Sequence, residues 1–260
     1  MSIVSKLEFG VLRLTIRRPE RRNTITSDMF ASLSESLRSA EADPGVRVVL
    51  IEGEGAVFSA GADLEESLKT PDRIDREMSD FFTVLRRFPK PVVALVAGPA
   101  VGEAFAMLLY CDLVYAGTKA LFSIPAVALA RTPRFGVAHV MTAAAGYPKA
   151  AEKLLLSEPV TADEAAAMRL VTAVIDDDEL AQTVAAKAAR LAVLPPEAVA
   201  ETKRLMRSVR DRQIEALADE EEETYARRVR SAEAAEALKA FTEGRKPVFR
   251  PEGSDGSGEA

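Results

Sequence analysis

Two short runs of small residues are the parts of this sequence best suited to bring a ligand against the main chain. The first is Phe58-Ser59-Ala60-Gly61-Ala62-Asp63-Leu64, and the second is Ala97-Gly98-Pro99-Ala100-Val101-Gly102-Glu103. Each follows an apolar segment, and small side chains let a ligand approach backbone N–H groups closely. The second run passes from a glycine turn into a helix predicted over Glu103–Leu109. The first turn of a helix carries unpaired N–H groups at the positive end of its dipole, where an oxygen gaining negative charge is stabilised. Either run alone reads as an ordinary strand–turn–helix link. Together they are a stronger signal, although their spacing names no reaction.

The elements that must hold these runs follow from periodicity. Val11–Ile16 alternates as a strand. Thr26 is placed to cap a helix whose Phe30, Leu33, Leu37 and Ala40 share one face. Val46–Ile51 and Pro91–Ala97 are nearly continuous apolar runs, the pattern of strands buried on both faces. Glu65–Arg76 opens a further helix. Leu113–Ala116, Ala120–Ile124 and Val171–Ile175 are short strands, and Thr161 with Glu164 forms a capping box. From Asp177 the chain reads as helical, broken at Pro195-Pro196, with one long charged helix from about Arg210 to Phe241 whose mixed signs suit a solvated or partner-facing surface. Alternating strands and helices imply an α/β core. The expected division is a core over 1–193, a helical region over 194–250 and a disordered tail over 251–260.

Composition excludes several functions. The 260 residues carry a formal net charge of −6 and no tryptophan, a poor match for a nucleic acid. One cysteine, Cys111, and one histidine, His139, rule out a disulfide within the chain and a Cys- or His-rich metal site. No stretch approaches the roughly 18 apolar residues that span a membrane, and Met1–Phe9 does not resemble a signal peptide. A cytoplasmic location is expected.

Four ordered segments resemble the crotonase, or enoyl-CoA hydratase/isomerase, superfamily. They are Arg18–Thr26, Phe58–Leu64, Lys90-Pro91-Val92-Val93-Ala94 through Cys111–Ala116, and Thr161–Val174, with Arg169 where glycine is usual. Phe88-Pro89-Lys90-Pro91, Gly98-Pro99-Ala100-Val101-Gly102 and Pro148-Lys149-Ala150 are most similar to its peroxisomal-type Δ3,Δ2-enoyl-CoA isomerase branch. The resemblance implies a spiral of ββα units with a helical C-terminal trimerisation region, a homotrimer or hexamer, and an acyl-CoA thioester as substrate with no further cofactor. It implies that the N–H groups of Ala62 and Glu103 form an oxyanion hole. It also implies that coenzyme A lies along Arg22, Ala60, Gly61, Asp63 and Leu64, and that Arg245 or Lys246 of a neighbouring chain reaches the nucleotide.

The sequence departs from the family where a proton must move. The two hydratase glutamates correspond to Ala106 and Ala126, and the isomerase glutamate to Arg134. Alanine has no proton to give, and arginine stays charged. Glu103, one helical step before Ala106, is the first substitute base, although glutamates are common at helix starts. His139 is the second, although a histidine between Ala138 and Val140 is more often packed. Asp63, Asp112 and Cys111 read as structural. Arg134 suits either a carboxylate on the substrate or an ion pair with a local acid such as Glu103. The chain is therefore read as an acyl-CoA isomerase or hydratase-type enzyme with an unconventional base, with two alternatives: an acyl-CoA-binding protein whose catalysis is lost, or a member of the superfamily acting on a carboxylate-bearing acyl-CoA.

Overall fold

The computed structural model describes residues 2–249, so the expected tail over 251–260 lies outside the described residues. The chain opens on a strand that periodicity does not announce. β1 (Ser2–Glu8) turns back through Phe9 and Gly10, both at positive φ, onto β2 (Val11–Arg17) as an antiparallel pair. It is an edge strand, mostly exposed, with Lys6 and Glu8 interrupting any alternation, which is how edges are kept from pairing with other chains.

After β2 come α1 (Ser27–Ala42), β3 (Val48–Gly53), α2 (Leu64–Lys69), α3 (Pro71–Arg87) and β4 (Val92–Val96). Thr26 caps α1 as expected, accepting from Met29 N–H at 3.3 Å. The helix expected from Glu65 is two helices. Asp63 caps α2, and Pro71 then starts α3 because it cannot continue a helix yet suits a first turn. Next are β5 (Ala100–Val101), α4 (Glu103–Leu108), β6 (Leu113–Gly117) and β7 (Leu121–Ser123). α5 (Val137–Ala145) and α6 (Tyr147–Leu155) were not expected. Gly136 and Gly146, both at positive φ, bound α5, and a nine-residue segment between two glycines is too short for a clear period. β8 (Val160–Thr161), α7 (Ala162–Ala167), β9 (Ala173–Ile175) and α8 (Asp177–Ala192) complete the α/β part. The Thr161–Glu164 capping box is present in α7.

The main sheet has the order β1-β2-β3-β4-β6-β9, parallel from β2 onward. The continuous apolar run in β3 now has its reason. Val49 and Ile51 pack into the large core with Phe30 and Phe81 of α1 and α3, while Val48 and Leu50 face Leu180 and Val184 of α8. A second sheet, β5-β7-β8, lies beside it.

The expected single charged helix is two. α9 (Pro196–Val229) ends before Ser231, which caps α10 (Ala232–Glu243) by accepting from Ala234 N–H at 3.1 Å. α9 is also more than a solvated surface. Its Lys203 Nζ donates to Asp112 Oδ2 and to Lys90 O, each at 2.7 Å, and its Ile214 is buried against Gly136. The helical region is thereby fastened along the core.

Candidate active site

The two small-residue runs are brought side by side by backbone pairing. Phe58 N–H donates to Pro99 O at 3.0 Å, Val101 N–H donates to Ser59 O at 3.0 Å, and Ser59 and Ala100 form a parallel bridge. Asn23 holds the first run from behind. It is fully buried at positive φ, a conformation asparagine tolerates better than most, and its amide nitrogen donates to Glu54 O and Val57 O. Ala60 N–H donates to Arg22 O at 3.0 Å. Two glycines permit the approach. Gly61 sits at φ +89°, where a Cβ would lie 2.6 Å from Val101 O. Gly102 turns at φ 58° and ψ −125°, a combination open essentially to glycine alone.

Beside this junction lies a cavity of about 460 Å3. Ala60, Ala62, Leu64 and Glu103 line it on the loop side, together with Ala106 of α4 and Ala126. At this junction Ala62 N–H donates to Glu103 Oε2 at 3.1 Å. Among the described residues, no acceptor pairs with the Glu103 N–H. A backbone donor directed into a cavity can hold an anionic oxygen, and here the oxygen it holds is the carboxylate of Glu103.

Arg134 lines the same cavity but is committed to neighbouring acids. Its Nη1 donates to Asp75 Oδ1 at 2.9 Å and its Nη2 to Glu222 Oε2 at 2.9 Å, and its guanidinium stacks on Phe135 and on Tyr225 at 4.7 and 4.2 Å. Burial disfavours its charge, but Tyr225, Asp75 and Glu222 outweigh that and raise its pKa. Of the two expectations for Arg134, a substrate carboxylate or a local ion pair, the structure has the ion pair, with Asp75 and Glu222 in place of Glu103.

His139 is not brought to the cavity. Its Nε2 pairs with Gln213 Oε1 of α9 at 3.1 Å, so it is corrected from candidate base to a tether between helices. Asp63 turns its carboxylate inward, to Arg18 Nη1 at 2.5 Å, to Glu66 N–H at 2.9 Å and to Thr24, which leaves it no direct part in holding a ligand. Burial pushes its pKa up, but the Glu66 N–H and the Arg18 guanidinium more than reverse this and hold it below the usual carboxylate range. Arg22 is exposed at the loop's edge, Gly61 is buried beneath it, and Lys246 is exposed near the described C-terminus. Asp112 is tied to Lys203 and to Val92 N–H, and burial pushes the Cys111 thiol far above its ordinary pKa. Both are structural, as expected.

Several lining residues gave no signal beforehand. Asp75 and Met78 come from α3, and Tyr225, Val229 and Phe241 come from the helical region. Arg131 and Thr132 precede Arg134 in the loop after β7. The signal that could have found α9 is Tyr225, an aromatic residue about one turn before the end of a highly charged helix. Among the described residues, no group of three His, Cys, Asp or Glu side chains is placed to hold a metal ion, and no helix is long and apolar enough to cross a membrane.

Comparison with known proteins places this geometry. The sequence profile described as enoyl-CoA hydratase/isomerase matches residues 6–252. The chain is 31% identical over 255 residues to the 1,2-epoxyphenylacetyl-CoA isomerase of Escherichia coli, covering 95% of this chain and 97% of that protein. It is 32% identical over 247 residues to enoyl-CoA delta isomerase 2 of Rattus norvegicus, covering 92% of this chain and 63% of that one. The crystal structure of an enoyl-CoA hydratase/isomerase from Pseudoalteromonas atlantica superposes with a TM-score of 0.91 at 33% identity, over 96% of this chain and all of that one.

Proposed function

The chain belongs to the enoyl-CoA hydratase/isomerase family, whose members act on coenzyme A thioesters, and on that premise we propose that it is an enoyl-CoA isomerase of the Δ3,Δ2 type with a relocated base. The thioester oxygen takes the place now held by Glu103 Oε2, between the N–H groups of Ala62 and Glu103. The displaced carboxylate removes a proton from the α-carbon, the electron pair moves onto the thioester oxygen as an enolate, and the proton is returned at the γ-carbon. The double bond moves from the 3- to the 2-position, and atoms and charge balance without any other reactant.

The observation that supports this reading is the 3.1 Å contact between Ala62 N–H and Glu103 Oε2. A carboxylate oxygen already sits on the donor, and it belongs to Glu103, one residue from the glycine turn, while the neighbouring Asp63 carboxylate is turned away to Arg18. Ala106 and Ala126 line the cavity without any group to activate water, which favours isomerisation over hydration. Coenzyme A runs past Arg22, Ala60, Gly61 and Leu64, with Asp63 fixing the loop beneath. The chain assembles as a trimer or a pair of trimers through exposed apolar side chains such as Leu205, Met206 and Val209 of α9, and Lys246 of one copy approaches the nucleotide bound to the next. A cytoplasmic location fits this chemistry.

The test is conversion of 3-hexenoyl-CoA to 2-hexenoyl-CoA, followed by chromatography, with wild type and Glu103→Gln. Turnover that falls in the variant supports the reading. Tight acyl-CoA binding with no wild-type turnover assigns the chain instead as an acyl-CoA-binding protein that has lost catalysis.

A further inference from the structure

The wall of the cavity built by Arg131, Thr132, Arg134 and Tyr225 carries more hydrogen-bond donors than the protein itself satisfies. Arg134 is 5% exposed and its two terminal nitrogens are taken by Asp75 and Glu222, yet its Nε is buried with no partner. Thr132 Oγ1, two residues earlier in the same loop, is also buried with no partner. Arg131 is half-buried, lines the same cavity, and among the described residues has no carboxylate within 4.0 Å of its guanidinium. The acids that line this cavity are already used: Asp75 by Arg134, and Glu103 by Ala62 N–H. Burial raises the pKa of Tyr225 against the pull of Arg131 and Arg134, so its phenol keeps its proton at neutral pH.

Buried donors left unpaired are costly and are rarely retained without a partner. Every unused group here donates, and Arg131 adds an uncompensated positive charge. A ligand group that only accepts, carries negative charge and offers several lone pairs satisfies Arg131 together with the Thr132 hydroxyl, and that description is a carboxylate. A saturated acyl chain ending in a methyl group would leave each donor unpaired.

We propose that the cavity recognises an acyl-CoA whose acyl chain ends in a carboxylate, and that Arg131 with Thr132 receives that carboxylate. This rests on the reading of the cavity as an acyl-CoA site. Arg134 is a positioning residue: held by Asp75 and Glu222, it fixes the loop from which Arg131 and Thr132 point. The specificity then lies with Arg131, a cation free to pair, and not with Arg134, which is already neutralised.

The experiment is calorimetry of the full-length protein with matched pairs of thioesters: succinyl- against butanoyl-CoA, glutaryl- against pentanoyl-CoA, and adipoyl- against hexanoyl-CoA. At one chain length or more the carboxylate-ended member should bind at least about tenfold tighter, the worth of one charge-assisted hydrogen bond. Arg131→Gln should bring that ratio to below about threefold, and Thr132→Val should lower it part of the way. Methyl-ended thioesters that bind as well as or better than their partners at every length overturn the proposal and leave the acyl-CoA reading standing. A preference for the carboxylate that persists undiminished in Arg131→Gln also overturns it. If no thioester of either kind binds, both this proposal and the acyl-CoA reading fall.

Discussion

The main-chain N–H of Ala62 and the side-chain carboxylate of Glu103 are hydrogen-bonded at 3.1 Å, joining two loops 41 residues apart. Under the proposed function this carboxylate competes with the thioester oxygen for one donor before it serves as base. Glu103→Ala should therefore bind a saturated acyl-CoA more tightly than wild type while losing about 10²- to 10⁴-fold in isomerisation, the range of one general acid–base group. Calorimetry and initial rates on the same preparations check both halves. Weaker binding in the variant would show that the carboxylate does not stand in the way of the ligand.

Ala62→Pro removes the donor while leaving the neighbouring bonds of the loop, Ile25 N–H to Gly61 O and Asp63 N–H to Ile25 O, on other residues. Loss of one such donor costs about 10²- to 10³-fold in kcat. The variant should keep a wild-type circular dichroism spectrum and lose turnover. Unchanged kcat in a folded variant would remove Ala62 from the site.

Hydration of crotonyl-CoA should run at least about 100-fold below isomerisation, because Ala106 and Ala126 supply no group to activate water and a single such group is worth about 10²-fold or more. Product analysis after prolonged incubation measures the ratio. Hydration as fast as isomerisation would point to a base other than Glu103.

Arg134 sits between two acids, Asp75 and Glu222, and this sets the consequence of changing it. Arg134→Glu would place three carboxylates together, so the variant should be less stable than Arg134→Gln. Breaking a buried pair costs about 3–5 kcal/mol, reduced here because Asp75 and Glu222 are partly exposed to solvent. Chemical denaturation of both variants measures the order. Arg134→Glu as stable as wild type would mean that the ion pairs contribute nothing.

The Arg18–Asp63 pair makes stability depend on pH in a defined window. Asp63 has a lowered folded pKa, against about 3.9 for an unperturbed aspartate. Its contribution is therefore fully present above about pH 4 and is lost as pH falls through the lower folded value. Asp63→Asn, which leaves Arg18 buried without its charge partner, should lower Tm strongly at pH 7, and the gap from wild type should narrow toward pH 3. Thermal melts across that range test it. A gap independent of pH would show that the Asp63 charge carries none of the effect.

Much of the α/β frame was legible in the sequence because burial leaves a local record. Val48–Ile51 is apolar without interruption since one side of β3 meets α1 and α3 and the other meets α8. Thr26 and the Thr161–Glu164 box were readable because capping is settled within four residues. β1 was not, since an exposed edge strand is defined by the strand it pairs with and not by its own pattern. α5 is bounded by two glycines and spans too few residues to show a period.

For the site, sequence alone picked out the two small-residue runs that form the junction, within which the structure gives Gly61 its reason in close approach and Gly102 its reason in positive φ, and the alanines at 106 and 126 are plain in the chain itself. Only the tertiary structure decided the partners of the charged side chains. Arg134 had an open choice among acids until α3 and α9 brought Asp75 and Glu222 to it from 59 and 88 residues away. His139 was withdrawn by Gln213, from 74 residues away, and Tyr225 entered the cavity only because α9 packs along the core. The physical reason is range: backbone conformation and burial are set by near neighbours and hydrophobic pattern, whereas an ion pair is set by whichever charge the completed fold delivers within a few ångströms.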